Sequence, residues 1–398
     1  MTARRGFLKG ATAGLLAMAL GLRDGFAQVA GNTYKFIMGS GPGAETVING
    51  KKCLYFGGTG YFGFQTHPEV IKAAQKALAE YGLHSATSRN IFGNNPLYLS
   101  LEKKAAEFFG TEDAICLASG YLINIAGLQA LVQLNRFEAI FMDETAHYSI
   151  ADFIYAVRKP VFSYRHGDPE DLSRQLKANL KAGQRPLVAT DGIFPTFGKV
   201  APIPEYLKAI EPYDGSLWLD DCHAIGVLGA NGRGTYEYYG LESSRLFYGG
   251  TLSKAVGGHG GIIPGARAFI DPIRAGHVVN GANASPSAAA AAALTGLQLM
   301  MTHPELRQTL WRNARLLKKG LRDLGFDQDD SPVPIAAWEL KSAEDMDRVQ
   351  EELMKRGISI QRTRYVGAGK NGALRAVVFA THTPEQISRL LGELKTLV

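Results

Sequence analysis

Short apolar runs that alternate with helix-length amphipathic stretches constrain the fold of this chain more than any other feature. The runs are rich in Val, Ile, Leu and Phe, which is typical of strands buried on both faces. Such strands, separated by helices, predict an α/β fold with a mostly parallel sheet sandwiched by helices. The runs are AICLA, EAIFMDE, PVFSY, PLVATDGIF, SLWLDD and LFYGG, all between residues 114 and 250.

Helical spacing of apolar residues flanks this region. THPEVIKAAQKALAEYG and PLYLSLEKKAAEFFG each predict a helix that ends at a glycine, Gly82 and Gly110. After residue 285, SPSAAAAAALTGLQLMM predicts a long helix. Helices and strands then alternate to the end of the chain, which predicts a second, smaller α+β domain.

Charge and cysteine content exclude several classes of partner. The chain has 398 residues and a net charge of +6, but its first 27 residues carry four basic residues and one acidic residue. No Lys/Arg cluster is interleaved with aromatic residues, so we expect no nucleic-acid partner. Cys53, Cys116 and Cys222 lie far apart, which argues against a disulfide framework and against a metal site.

The first 27 residues resemble a cleavable export signal. RRGFLKG is similar to a twin-arginine signal and precedes the apolar stretch ATAGLLAMALGL and the small residues Gly25 and Ala27. The apolar stretch is too short to serve as a stable membrane anchor. We therefore expect a periplasmic protein, or a cytoplasmic one where the signal is not used. The alternative is a basic amphipathic start with no targeting role.

Polar residues follow the predicted strands where each strand ends. They are Ser119, Gly120, Asp143 to His147, Asp191, Asp220 to His223, and Thr251 to Lys254. The carboxyl ends of parallel strands meet at one edge of a sheet, where open α/β sheets bind ligands. We expect these five segments to converge on one crevice.

Each of these residues has an ordinary structural interpretation beside a functional one. Lys254, in TLSKAVGGHGG, is either a surface side chain on a tight turn or an amine that a flat ligand can approach. Asp220 either caps a turn or keeps a pyridine nitrogen protonated, and His223 could then reach the ring oxygen. Gly120 and Tyr121 precede a helix, where backbone N–H groups could bind a phosphate. His147 is either a loop residue or a ring stacked on a planar cofactor.

The motifs TLSKAVGG, DDCHAIG, NGRGT, ASGYLIN and ETAHYS, with NGALRAVVFATHTPEQI, resemble the α-oxoamine synthase family of pyridoxal-phosphate enzymes. The resemblance runs from about residue 50 to the end of the chain. It implies fold type I of the pyridoxal-phosphate transferases and a homodimer with active sites at the interface. It further implies condensation of an amino acid with an acyl thioester, with loss of CO2.

The resemblance also implies a role for each site residue. Lys254 bonds covalently to the cofactor aldehyde and then acts as the base at Cα, while Asp220 pairs with the ring nitrogen. His223 contacts the ring oxygen, and His147 stacks on the ring. The remaining roles are phosphate binding by Gly120, Tyr121 and Thr251, and substrate carboxylate binding by Arg375.

Four positions depart from the family pattern. Pro195 stands where a serine usually bonds the cofactor, Tyr98 where a histidine is expected, and Thr59 where an asparagine is usual. Cys222 is unusual beside the cofactor motif and is interpreted as a packing residue, with a reactive thiol as the alternative. Because acyl-CoA is cytoplasmic, the predicted export leaves a second function open, an exported enzyme that transaminates, decarboxylates or epimerises an amine or amino-acid group of a secreted metabolite. The third alternative is an inactive cofactor-binding scaffold or sensor.

The resemblance and the predicted elements together divide the chain into four parts. Residues 1–27 form the signal, and residues 28–85 form an N-terminal segment that packs on the small domain. Residues 86–285 form the large cofactor-binding domain. Residues 286–398 form the small C-terminal domain.

Overall fold

The computed structural model of the protein describes residues 35–398. The predicted export signal, residues 1–27, lies outside the described residues. Within residues 35–398, no helix combines the length and the apolar character needed to cross a bilayer.

Two β-sheets form the framework of the described chain. The large sheet has the order β3-β9-β8-β7-β6-β4-β5, and the small sheet has the order β1-β2-β11-β12-β10. The strands are β1 (Glu45–Ile48), β2 (Lys51–Phe56), β3 (Asp113–Leu117), β4 (Ala139–Asp143), β5 (Val161–Tyr164), β6 (Pro186–Asp191), β7 (Ser216–Asp220), β8 (Leu246–Thr251), β9 (Gly261–Gly265), β10 (Ile335–Trp338), β11 (Ile358–Thr363) and β12 (Ala373–Val377).

The large sheet is parallel except for β9, which runs antiparallel to both of its neighbours, β3 and β8. Strands β4, β6 and β7 are buried at every position, which explains their continuous apolar sequence. The predicted mostly parallel sheet between helices is confirmed. Strand β9 was missed because its sequence, GIIPG, is short and begins and ends in glycine, a composition typical of turns.

Helices cover the two faces of the large sheet and one face of the small sheet. They are α1 (Pro68–Tyr81), α2 (Pro96–Phe109), α3 (Leu122–Gln133), α4 (Tyr148–Ile154), α5 (Pro169–Asn179), α6 (Ile203–Ile210), α7 (Thr235–Tyr238), α8 (Arg267–Ala275), α9 (His277–Asn280), α10 (Ser287–Thr302), α11 (Pro304–Asp323), α12 (Ala343–Lys355) and α13 (Pro384–Lys395). The long helix predicted after residue 285 is α10, which packs against α1 and α2.

The small sheet joins the two ends of the described chain. Strands β1 and β2 form a hairpin, and β2 pairs in parallel with β11. The hairpin turns at Asn49 and Gly50, which both have positive φ, at 49° and 76°. Sequence analysis missed this hairpin, although Asn-Gly between apolar residues is a strong hairpin signal. The division of the chain into four parts stays a prediction.

Helices α1 and α2 end where the sequence predicts. Gly82 and Gly110 follow their last residues, and both have positive φ. A residue with a Cβ is strained in this conformation, so glycine is favoured at both helix ends.

Candidate active site

Residues that follow five strands of the large sheet line one cavity of about 220 Å³. Strands β3, β4, β6, β7 and β8 point the same way, so their carboxyl ends share one edge of the sheet. The lining residues are Ser119, Gly120, Tyr121, His147, Ser149, Asp191, Asp220, Cys222, His223, Thr251, Ser253 and Lys254. The structure therefore brings together every residue predicted to bind the cofactor.

A second cavity of about 270 Å³ adjoins the first. His147, His223 and Lys254 line both cavities. The other lining residues are Gly58, Thr59, Pro195, Thr196, Gln361, Thr363, Tyr365 and Arg375. Arg375, predicted to bind the substrate carboxylate, therefore lies across the shared residues from the cofactor cavity. A larger cleft of about 570 Å³, beside Arg89 and Arg274, contains none of the predicted site residues.

Lys254 lies at the boundary of the two cavities. It is half-buried and follows the end of β8 by three residues. Its backbone carbonyl oxygen accepts a hydrogen bond from Nε2 of Gln65 at 2.8 Å, which anchors the turn. The amine can therefore serve a ligand in either cavity.

Asp220 is the last residue of β7 and is buried. Its Oδ2 accepts a hydrogen bond from Asn124 Nδ2 at 2.8 Å, and its Oδ1 accepts one from the backbone N–H of Cys222 at 3.1 Å. Both donors are neutral. A buried carboxylate with neutral donors is suited to a cationic ligand group such as a protonated pyridine nitrogen.

A second buried carboxyl group, Asp191, lies beside Asp220 on the neighbouring strand. Burial, followed by the charge of Asp220, raises the pKa of Asp191 well above its usual range. Asp191 Oδ2 accepts a hydrogen bond from the backbone N–H of His147 at 2.8 Å. Its surroundings therefore favour the protonated form of Asp191, and its hydrogen bond to His147 orients the loop before α4.

His223 is buried, and its Nδ1 lies 2.7 Å from the hydroxyl oxygen of Tyr61. Burial and the nearby cations Lys254 and Arg375 lower the pKa of His223 well below its usual range. The imidazole is therefore neutral, and one hydrogen bond joins its Nδ1 to the hydroxyl group of Tyr61. Sequence analysis missed Tyr61 because it lies 162 positions away in the chain.

His147 caps the start of α4. Its Nδ1 accepts a hydrogen bond from the backbone N–H of Ser149 at 3.1 Å, which assigns the ring hydrogen to Nε2. Nε2 lies 2.7 Å from the hydroxyl oxygen of Tyr365. Burial lowers the pKa of His147, so the ring is neutral, as a stacking partner for an aromatic cofactor can be. Tyr365 was also missed, because its loop carries no motif.

The opposite end of the first cavity offers small residues and hydroxyl groups. Helix α3 begins directly after Tyr121, and a Cβ on Gly120 would lie 2.6 Å from Oγ1 of Thr251. Only glycine therefore fits between the helix start and β8, which leaves this end open to an anion. The Tyr121 hydroxyl donates to Asp152, and its N–H donates to Ser119 Oγ at 3.1 Å.

Arg375 is buried in β12, and one nitrogen of its guanidinium group makes no hydrogen bond to the described residues. Its Nε donates to the carbonyl oxygen of Pro195 at 2.9 Å, and its Nη1 donates to Oε1 of Gln361 at 3.1 Å. Nη2 has no hydrogen-bond partner among the described residues. An unsatisfied buried guanidinium donor beside a cavity is suited to a carboxylate ligand.

The other departures from the family pattern have distinct surroundings. The Tyr98 hydroxyl donates to the backbone carbonyl of Ser285, so Tyr98 is a core residue outside both cavities. Thr59 lines the second cavity. Cys222 lines the first, and burial raises the pKa of its thiol well above the usual range, which keeps the thiol protonated.

The residues of the two cavities fit pyridoxal phosphate together with an amino acid. Asp220 matches a cationic ring nitrogen, the space beside Gly120 matches a phosphate, and Lys254 matches an aldehyde. The unpaired donor of Arg375 matches a carboxylate. The individual roles of these residues stay predictions.

Comparison with known proteins decides the family. Residues 55–394 match the family described as aminotransferase class I and II. The chain belongs to this family. It is 34% identical over 354 residues to 8-amino-7-oxononanoate synthase 1 of Bacillus velezensis, covering 88% of this chain and 89% of the relative. The 8-amino-7-oxononanoate synthase of Alkaliphilus oremlandii has the same identity and coverage.

Solved structures of the family agree with the fold. The serine palmitoyltransferase of Sphingomonas wittichii superposes with a TM-score of 0.86 at 28% identity, over 96% of both chains. The serine palmitoyltransferase of S. paucimobilis superposes with a TM-score of 0.85 at 29% identity, also over 96% of both chains. These matches confirm the resemblance to the α-oxoamine synthases, fold type I and the dependence of this enzyme on pyridoxal phosphate.

Proposed function

We propose that this enzyme condenses an amino acid with an acyl thioester to give an α-amino ketone, with release of CO2 and of the free thiol. The observation that carries the proposal is the unpaired Nη2 of Arg375 in the cavity that Lys254 also lines. This pair supplies a carboxylate anchor and an amine on either side of the space where an amino acid would lie. The named functions of the relatives, 8-amino-7-oxononanoate synthases and serine palmitoyltransferases, support the same reaction.

Lys254 and Arg375 have different proposed roles in this reaction. Lys254 Nζ holds the cofactor and takes the proton from Cα of the substrate. Arg375 would bind the substrate carboxylate and so orient the bonds at Cα for reaction. Bound pyridoxal phosphate supplies a conjugated cationic ring that accepts the electron pair released at Cα.

The groups around Asp220 have pKa values shifted towards their neutral forms, which favours a single charged pair between Asp220 and the ring nitrogen. Asp220 is placed to pair with the ring nitrogen, while burial raises the pKa of Asp191 and so disfavours a second negative charge beside Asp220. His147 and His223, both neutral, line the cavity without opposing the cationic ring. Asp220 is therefore the carboxylate that we assign to the ring nitrogen.

An assay with separate readouts tests the reaction. Purified enzyme with pyridoxal phosphate is given glycine, alanine or serine, with and without an acyl-CoA, and both free thiol and CO2 are measured. We expect equal amounts of thiol and CO2, only when both substrates are present. CO2 without thiol would indicate decarboxylation, and transfer of the amino group to an oxo acid would indicate transamination. No thiol, no CO2 and no amino-group transfer with any of the amino acids would indicate an inactive scaffold.

The Lys254→Ala variant is the control for this assay. We expect it to bind the cofactor without covalent attachment, so that borohydride, which traps an adduct at Lys254 in the unaltered enzyme, traps none on the variant. An adduct that persists in the variant would show that another residue holds the cofactor.

We also propose that the enzyme acts as a homodimer. Support comes from apolar side chains that are exposed close together in the chain, Leu83, Ile91 and Phe92, the last 86% exposed. Phe92 lies in a π-helical turn, Arg89–Gly93. Burial of this surface against a second copy would remove it from water.

We further propose that residues 1–27 direct folded, cofactor-loaded enzyme to the periplasm. The support is the twin-arginine-like sequence at the start of the chain. Acyl-CoA is a cytoplasmic thioester, so an exported enzyme would use a different acyl donor in the cell, and acyl-CoA serves as the surrogate thioester in the assay above. Cell fractionation with N-terminal sequencing tests this: mature periplasmic protein lacking the signal supports export, and full-length cytoplasmic protein contradicts it.

A further inference from the structure

A buried side-chain amide, Asn124 in α3, makes hydrogen bonds to two residues that line the cofactor cavity. Its Nδ2 donates to Oδ2 of Asp220 at 2.8 Å and to Oγ of Ser149 at 2.7 Å. Its Oδ1 accepts a hydrogen bond from Nε1 of Trp218 at 2.7 Å. Asn124 and Trp218 are fully buried.

The orientation of this amide is determined by its partners. The indole N–H of Trp218 can only donate, so the atom that faces it is the Asn124 carbonyl oxygen. The two amide hydrogens then point to Asp220 and Ser149, and each has an acceptor. No other orientation of the amide satisfies all three partners.

The Ser149 branch continues to His147. Since Ser149 Oγ accepts from Asn124, its own hydrogen is available to Nδ1 of His147, 2.7 Å away. The backbone N–H of Ser149 donates to the same nitrogen at 3.1 Å. With two donors at Nδ1, the His147 hydrogen stays on Nε2 and meets the hydroxyl oxygen of Tyr365.

Close packing keeps this arrangement rigid. A Cβ on Gly127 would lie 2.2 Å from Cη2 of Trp218, so α3 approaches the indole as closely as a glycine allows. Trp218 is in β7, which also carries Asp220. Trp218 and Asp220 are thus held by β7, and Asn124 is held by α3, which packs on that strand.

We propose that Asn124 is a positioning residue that orients Asp220 and, through Ser149, His147, and so aligns the two side chains predicted to lie against the ring of pyridoxal phosphate. This inference rests on the cofactor assignment and on the predicted roles of Asp220 and His147. It is independent of which reaction the enzyme catalyses.

Three alanine variants test the proposal. Asn124→Ala removes both branches, and Ser149→Ala removes only the branch to His147. Asn313→Ala is the matched control, because Asn313 is also a buried asparagine and donates through Nδ2 to two carbonyl oxygens, those of Phe379 and His382, away from the site. The readouts are the dissociation constant of pyridoxal phosphate, the visible circular dichroism of the bound cofactor and the thermal midpoint.

We expect Asn124→Ala to weaken cofactor binding by about tenfold, since Asp220 loses a hydrogen bond to its charged group. Its visible circular dichroism should change, because this signal reports the angle of the ring in its surroundings. Ser149→Ala should change the circular dichroism with a smaller loss of affinity, about threefold. Asn313→Ala should lower the thermal midpoint and leave both cofactor readouts unchanged.

Unchanged affinity and circular dichroism in Asn124→Ala, with a midpoint lowered as in Asn313→Ala, would overturn the proposal. Should Asn124→Ala not fold, Ser149→Ala decides: unchanged cofactor signals in that variant would also overturn it. Neither readout needs turnover, so an unaltered enzyme that binds the cofactor but releases no thiol from acyl-CoA would count against the proposed reaction alone.

Discussion

Nε of Arg375 donates a hydrogen bond to the backbone carbonyl oxygen of Pro195 at 2.9 Å. The partner is a main-chain atom, so Pro195 orients the arginine without using its side chain. The departure of Pro195 from the family pattern therefore removes a hydroxyl group from the site but preserves support for Arg375.

We expect Pro195→Ser to retain the position of Arg375, because any residue supplies the same carbonyl. The serine hydroxyl can donate to a bound ligand, which proline cannot do. Cofactor affinity should therefore stay equal or rise about threefold, while kcat/KM for the amino acid stays within about twofold. A large loss of kcat/KM would show that the proline ring itself shapes the cavity.

We expect Arg375→Lys to lower kcat/KM for the amino acid by about 100-fold. Lysine keeps the charge but cannot reproduce a planar guanidinium that holds Pro195 and Gln361 while pointing Nη2 at a carboxylate. Cofactor affinity should be unchanged. Arg315→Lys, at an exposed position, is the control and should have no effect. Equal losses of cofactor affinity and of kcat/KM would contradict a role in substrate binding.

We expect Tyr365→Phe to lower kcat/KM about fivefold without changing the thermal midpoint, because the ring is retained and only the hydrogen bond to His147 is lost. The pKa of Tyr365 is raised to about 12, so loss of an ionised phenol does not contribute to the change in kcat/KM. Tyr148→Phe is the control, since Tyr148 packs edge-on against Tyr365 with ring centroids 4.9 Å apart. A Tyr365→Phe variant that is as active as Tyr148→Phe would show that the hydroxyl group of Tyr365 is not needed.

We expect the free energy of unfolding to fall by about 3 kcal/mol as the pH is lowered from 6.5 to 4, through His382. Burial lowers the pKa of His382 to about 4, and its Nδ1 accepts a hydrogen bond from the backbone N–H of Phe379. Between pH 6.5 and 4, His382 is protonated in the unfolded chain but stays largely neutral in the folded chain, so lowering the pH favours unfolding. Above pH 6.5 His382 is neutral in both states, so it no longer lowers the free energy of unfolding.

Urea unfolding at a series of pH values measures this slope. His382→Asn keeps an acceptor near Phe379 and should flatten the dependence, while His303→Asn, at an exposed histidine, should not. A slope that survives in His382→Asn would assign the acid sensitivity to other groups.

We expect Phe92→Glu to shift the enzyme from dimer towards monomer, because a charge in an apolar interface must be desolvated. Light scattering after size-exclusion chromatography measures the mass. Val398→Glu, another exposed apolar position, is the control. A Phe92→Glu variant that remains a dimer at micromolar concentration would place the interface elsewhere.

Local sequence determined much of the fold and of the cofactor side of the site. The apolar runs and the glycines after α1 and α2 are local signals, and the residues after β4, β6, β7 and β8 converge because parallel strands end at one edge. The hairpin β1–β2 was missed although Asn49-Gly50 signals it. Strand β9 was missed because five residues bounded by glycines do not distinguish a strand from a turn.

Tertiary structure alone decided the partners of these side chains. Tyr61 meets His223, Tyr365 meets His147, and Asn124 joins His147 to Asp220, across separations that no sequence pattern records. A motif specifies which residue types stand near a strand end, since neighbours in the chain share its direction. The hydrogen bonds that set tautomer, charge and ring angle depend on distances of about 3 Å between distant segments, and only packing of the whole chain sets those distances.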